Sequence, residues 1–165
     1  MRALLLALLV ACPALAPTAP PRIGLGFDVT SAFYPQDVVP DGPSIGVRAR
    51  AALPVNADVS VAASLGVGAH ILSGGDDATF VLNPQTSVIV SLPSRRRARG
   101  LRYVLGGVGG FLPLSGGGGG ASVHAGFGYA VRLSETSVFT EFNPSLIVGE
   151  ETSVVVLAVR GGVIF

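Results

Sequence analysis

The chain has no tryptophan, one cysteine, one methionine and, among its eleven basic residues, no lysine. A lone cysteine excludes an intramolecular disulfide, so no covalent staple holds the fold. Charged residues fill only 13% of 165 positions while 49% are hydrophobic, a balance that excludes an extended disordered chain and suits one folded domain. The formal charge of +1 selects no partner. Mean hydropathy is +0.62, as in membrane proteins. Long apolar runs are nevertheless missing: past the N-terminus the longest clean stretch is Val154 to Val159, six residues against the ~18 to 20 of a spanning helix.

An apolar chain without spanning helices is left with strands. Twenty-three glycines and twelve prolines punctuate β-branched and aromatic runs, which works against long helices. The N-terminus is a separate element. Arg2 precedes the short apolar run Ala3 to Ala11, the pattern of an export signal, so residues 1–19 are read as a signal peptide and 22–165 as the folded domain. Two processing readings stand side by side. Ala14-Leu15-Ala16 is a small-x-small cleavage site followed by Pro17, and Leu9-Val10-Ala11-Cys12 has the form of a lipobox in which Cys12 would be lipidated.

Eight strand-like segments follow, at about 22–34, 44–53, 59–72, 80–92, 101–112, 121–133, 137–148 and 152–165. The third sets Val59, Val61, Ala63, Leu65, Val67, Ala69 and Ile71 against Ser60, Ala62, Ser64, Gly66, Gly68 and His70. The sixth and first alternate in the same way, with Phe127 and Phe27 on their apolar faces and His124 and Asp28 opposite. A soluble lipocalin-like barrel would turn the apolar face inward and cover the other with Lys, Glu and Asp. Here the second face is Gly, Ala, Ser and an occasional Arg. That surface suits the interior of a narrow barrel whose apolar face meets lipid. The predicted fold is all-β, an eight-stranded antiparallel up-and-down transmembrane β-barrel after a cleaved signal segment.

Connection lengths fit such a barrel in part. Both termini of an even-stranded outer-membrane barrel lie in the periplasm, where turns are short. That assigns 54–58, 93–100 and 134–136 to the inner side and 35–43, 73–79, 113–120 and 149–151 to the outer side. The inner segment 93–100 is long and the outer segment 149–151 is short, against the trend.

Tyr103 to Phe111 (YVLGGVGGF), His124 to Leu146 and the terminal Leu157 to Phe165 (LAVRGGVIF) together resemble the last four strands of the outer membrane protein β-barrel domain family, small eight-stranded barrels of diderm bacteria. The resemblance covers 101–165 in motif and 22–92 by strand pattern only. It implies residence in the cell outer membrane, contact with outer-membrane lipids, and recognition by the barrel-assembly machinery. The signal implied for that recognition is the terminal aromatic Phe165 with Val163, Val159 and Leu157 at alternate positions, Gly161 being a gap.

Sites with chemistry are sparse. The glycine runs at 106–110 and 116–120 lack the Lys and the strand-to-helix context of a phosphate loop. His70 and His124 have no ligating neighbours in sequence, and Asp76 with Asp77 is a poor cation site, so neither a metal nor a cofactor is expected. Ser122, His124 and Glu141 carry the residue types of lipid A deacylases, which are eight-stranded barrels too. Their Ser-x-His order and the lumen facing of His124 depart from that family, and no turnover chemistry is expected. Arg95, Arg96, Arg97 and Arg99 form a charge run, read as a solvated turn or as a contact for anionic lipid headgroups. Nucleic acid is not an expected partner of an exported protein. Asp28, Glu141 and Arg160 fall on the lumen face of strands one, seven and eight, which closure makes neighbours, so Arg160 is expected to bridge both carboxylates.

Overall fold

The structure is a computed structural model that describes residues 20–33, 43–70, 79–92, 100–114, 119–149 and 153–165. The signal segment with Cys12, the acidic pair Asp76 and Asp77, and the arginines at 95, 96, 97 and 99 lie outside the described residues. The strands are β1 (Arg22–Phe33), β2 (Ser44–Pro54), β3 (Val59–His70), β4 (Thr79–Leu92), β5 (Gly100–Pro113), β6 (Gly120–Leu133), β7 (Thr136–Phe142), β8 (Ser145–Val148) and β9 (Ser153–Ile164). Every pairing is antiparallel, and β9 returns to pair with β1, so the sheet closes on itself.

The segments β7 and β8 are two halves of one stave. Pro144 between them has no N–H to give to the ladder. The register nevertheless runs through: β6 meets Phe142 at Phe127 and Ser145 at His124, while β9 meets the same two residues at Val159 and Val156. The Asn143 N–H donates to the Ala158 carbonyl at 2.8 Å, and the Ala125 N–H donates to the Pro144 carbonyl at 3.1 Å. The barrel therefore has eight staves, at the positions predicted from the alternation.

Stepping from partner to partner around the wall shows its stagger. Arg22, Ala52, Ala62, Ser87, Gly107, His124, Ser145 and Val156 pair in turn, and Val156 leads back to β1 at Ala32. The return is ten residues beyond the start, so the strands are strongly tilted to the barrel axis, as closure of a narrow barrel demands. Full-length staves of 11 to 14 residues match or exceed the ~9 to 11 that a tilted strand needs to cross a bilayer.

The inside and outside are inverted relative to a water-soluble protein. Asp28, Arg48, Gln85, Glu141, Asn143 and Arg160 are buried, whereas Phe27, Val47, Leu65, Phe127 and Val159 are exposed on the outer wall. Water is the wrong solvent for that wall and hydrocarbon the right one. The lumen is not lined only by small residues, as strands one, three and six imply. Tyr103, Leu105, Phe139, Ile147 and Val156 also point inward and are buried. Their bulk fills the space left by facing glycines, which keeps the interior packed.

Tight turns finish the periplasmic end. In the β2–β3 turn the Asn56 side-chain oxygen accepts the N–H groups of Asp58 and Val59 at 2.9 and 2.8 Å, an Asx turn. The β6–β7 hairpin turns on Ser134, whose φ of 51° matches the left-handed conformation that two-residue hairpin loops demand.

Candidate functional site

The lumen is filled in three layers. Nearest the outer end, Ala32, Ile147 and Val156 form an apolar cap packed against Phe111 and Val154. Below lies a layer of arginines and carboxylates. Toward the periplasmic side, the Phe139 ring lies under Arg50, 5.7 Å from its guanidinium carbon.

Strand alternation puts the charged layer together. Arg160 is the register partner of Asp28 on one side and of Glu141 on the other, so one side chain projects between two carboxylates. Its Nη1 donates to Glu141 Oε1 at 3.0 Å, and its Nη2 donates to Gln85 Oε1 at 3.1 Å. Its Nε lies 3.4 Å from Asp28 Oδ1, an ion pair too poorly aligned to count as a hydrogen bond. The structure thus brings together the three residues that the alternation selects, in a network larger than those three.

Two further arginines come from β2, where Arg48 and Arg50 share the inward face with Gly46. Arg48 donates from Nε to Asp28 Oδ2 at 2.7 Å, from Nη1 to Ser64, Gln85 and the Asn83 carbonyl, and from Nη2 to Asn83 Oδ1 at 2.7 Å. Arg50 grips Glu141 through two 2.9 Å hydrogen bonds, one to each carboxylate oxygen. Glu141 also accepts from Tyr103 at 3.1 Å and from Asn143 at 3.2 Å. Among the described residues of this layer, three guanidiniums face two carboxylates, and neutral oxygens from Gln85, Asn83 and Ser64 accept further donors, while Arg160 Nε keeps only its ion pair with Asp28.

Glycine makes room for this layer. A Cβ on Gly66 would come within 2.6 Å of the Arg48 guanidinium, which occupies the space beside that backbone. At Gly128 an added Cβ would enter the Tyr103 ring, which must cover that backbone to reach Glu141. Pro84 in β4 cannot donate an N–H, and the register places it opposite Gly110. The Asn83 side-chain amide donates to the Gly110 carbonyl instead, at 2.7 Å.

Ser122 and His124 do not form a catalytic set with Glu141. Each is 2% exposed inside the wall, and His124 Nε2 shares its 2.9 Å hydrogen bond with Ser87 Oγ rather than with a carboxylate. No group of three metal-ligating side chains occurs among the described residues. A cavity of about 60 Å³ remains between the charged layer and the apolar cap, lined by Asp28, Arg48, Gln85, Arg160, Phe111 and Ile147 among others. It has space for a few water molecules, not for an organic substrate.

The proposed assembly-signal residues lie along the outside of β9. Val159 and Phe165 are exposed, and Leu157 and Val163 are half-buried by neighbouring strands. Phe165 continues the ladder past β9, its N–H donating to the Ile23 carbonyl at 2.8 Å.

Among solved structures the barrel is similar to Neisserial surface protein A, with a TM-score of 0.72 over 87% of this chain and 95% of that one, at 10% identity. The fold is that of a small outer-membrane β-barrel. A second likeness is to Ail, the attachment invasion locus protein of Yersinia pestis, with a TM-score of 0.52 and 13% identity over 88% of this chain and 97% of that one. No protein-family model matches the chain, and no curated protein matches its sequence.

Proposed function

We infer that the protein is an integral outer-membrane barrel whose role is structural or surface-interacting, with neither a wide pore nor turnover chemistry. The observation that carries this reading is the filled lumen. A network of three arginines and two carboxylates, capped by apolar side chains, occupies the space that a channel or an active-site cleft would need. A closed barrel packed in this way offers its outer end, not its interior, to partners. The likeness to Ail, named for attachment and invasion, supports a role at the cell surface. Recognition by the barrel-assembly machinery through Phe165, Val163, Val159 and Leu157 belongs to the same reading, as does export by the segment 1–19, whether Cys12 is removed or lipidated.

Membrane fractionation with a heat-modifiability gel tests the placement. The protein is expected in the outer-membrane fraction, running faster unboiled than boiled because folded barrels resist SDS. Single-channel recording on the reconstituted protein tests the filled lumen. Long-lived openings of porin size would overturn it.

A further inference from the structure

Resting on the reading that this barrel spans the outer membrane, we propose that its outer wall carries a seat for one anionic phospholipid of the periplasmic leaflet, held at Arg102. Among the described strand residues, Arg102 is the only charged side chain on the outward face. Arg22 and Arg132 share a strand face with the lumen residues Asp28 and His124, as the alternation in β1 and β6 requires. Arg102 is exposed, and among the described residues no hydrogen bond or ion pair engages its guanidinium. An unpaired cation on a hydrocarbon-facing wall needs a counter-charge, and headgroup phosphates supply one.

Its position is at headgroup depth. Arg102 is the third residue of β5, at the barrel end that carries the N-terminus and the short turns. In register beside it stand Tyr129 and then Thr140, so a guanidinium and two hydroxyl-bearing side chains form one row across three staves. Thr140 pairs onward with Gly161, which has no side chain to fill the wall.

The wall is hollowed beside that row. A groove of about 570 Å³ is lined by the row Leu92, Arg102, Tyr129 and Thr140 and by Phe127, Phe142 and Val159, with Gly128, and with Tyr103 and Glu141, whose side chains turn into the lumen, completing the lining. That volume falls within the ~300 to 1,000 Å³ of small-ligand sites. Phe127 and Phe142 stand 5.7 Å apart, ring centre to ring centre, and form a firm wall rather than a collapsible one. The chemistry is therefore bipartite: an anion donor at the membrane surface and an apolar, aromatic-walled channel running from it toward the bilayer centre. An acyl chain fills the second part while its phosphate meets the first. A headgroup lacking its own ammonium is favoured, because no internal cation competes with Arg102.

Native mass spectrometry of the full, folded protein with equimolar phosphatidylglycerol and phosphatidylcholine of identical chains reads this directly. Wild type is expected to retain one phosphatidylglycerol in about fivefold preference, the scale of one basic residue against an anionic lipid surface. Arg102→Gln should bring the two lipids to parity. Thr140→Leu, which fills the groove and leaves the charge, should lower retention of both lipids. Arg132→Gln, at the same barrel end but on the lumen face, should leave the preference intact. Parity in wild type, or a preference that Arg102→Gln does not reduce, overturns the seat. The heat-shifted band of each variant separates this failure from failure of the barrel itself, since a folded protein without lipid preference refutes only the seat.

Discussion

Arg50 holds Glu141 end-on, with one 2.9 Å hydrogen bond to each carboxylate oxygen, although the two residues are 91 positions apart in sequence. Arg160, the strand neighbour of Glu141, reaches only one of those oxygens. Glu141 is thus the hub of the layer, and removing it differs from removing either arginine. Glu141→Gln leaves Arg50 without a carboxylate partner and Arg160 with only its ion pair to Asp28, and should destabilise by about 3–5 kcal/mol. Arg160→Met leaves Glu141 paired with Arg50, Tyr103 and Asn143, so the cost should be lower, about 1–3 kcal/mol. Urea titration of the refolded protein in detergent ranks the two. An equal or larger loss in Arg160→Met would show that Arg50 does not hold Glu141 in this way.

The outer wall predicts a depth-dependent cost for charge. Arg substituted for Leu65 or Phe127, well inside the span, should cost roughly 2–4 kcal/mol on refolding into lipid vesicles. Arg at Leu133, the last residue of β6, should cost about 1 kcal/mol or less, because its guanidinium reaches the headgroups. A flat profile across the three sites would contradict the membrane facing. Gly66 is not a neutral comparison site, since Arg48 already fills the space above it.

Glycine under aromatic side chains gives a third test. Gly128→Ala drives a methyl group into the Tyr103 ring and pulls its hydroxyl off Glu141, at a cost of about 1–3 kcal/mol. Combining it with Tyr103→Ala should cost less than the sum of the single changes, with a coupling of about 0.5 kcal/mol or more. Additive losses would mean that the ring does not rest on that backbone.

The staves were legible because period-two alternation over 11 to 14 residues is a long signal, and the Gly/Ser face opposite the apolar one reveals which side is crowded. Asp28, Glu141 and Arg160 were legible for the same reason, since closure makes the last strand a neighbour of the first. Arg48 and Arg50 carried the same signal: in β2 they alternate with Val47 and Ala49 and follow Gly46, and the face rule applied there assigns both inward. Other lumen residues had no such mark. Asn83 and Gln85 fall within the strand read at 80–92, but with Pro84 between them and Val81 on their face, alternation does not mark them as lumen residues. In β5 both faces are apolar, with Tyr103 and Leu105 inward and Val104 outward, so alternation distinguishes nothing. The Arg50–Glu141 pair depends on barrel radius and side-chain reach, which strand patterns do not encode. The groove beside Arg102 arises from rows across several staves, and register between strands is invisible in any one of them.

The terminal Phe165 separates stability from assembly. Its side chain is exposed on the outer wall, and its backbone adds one hydrogen bond, to Ile23, at the end of the ladder. Deleting it removes one contact at the end of the ladder, so stability measured by refolding in detergent should fall by no more than about 1 kcal/mol. If the aromatic end is instead read by the assembly machinery, the amount of heat-modifiable protein in the outer membrane should drop far more than that loss explains, with unfolded chain accumulating in the periplasm. Phe165→Tyr, which keeps an aromatic ring at the end of the strand, should restore the level. Normal outer-membrane levels of the truncated chain would remove the signal role. A parallel collapse of stability in detergent would instead make Phe165 a structural residue of the closing strand.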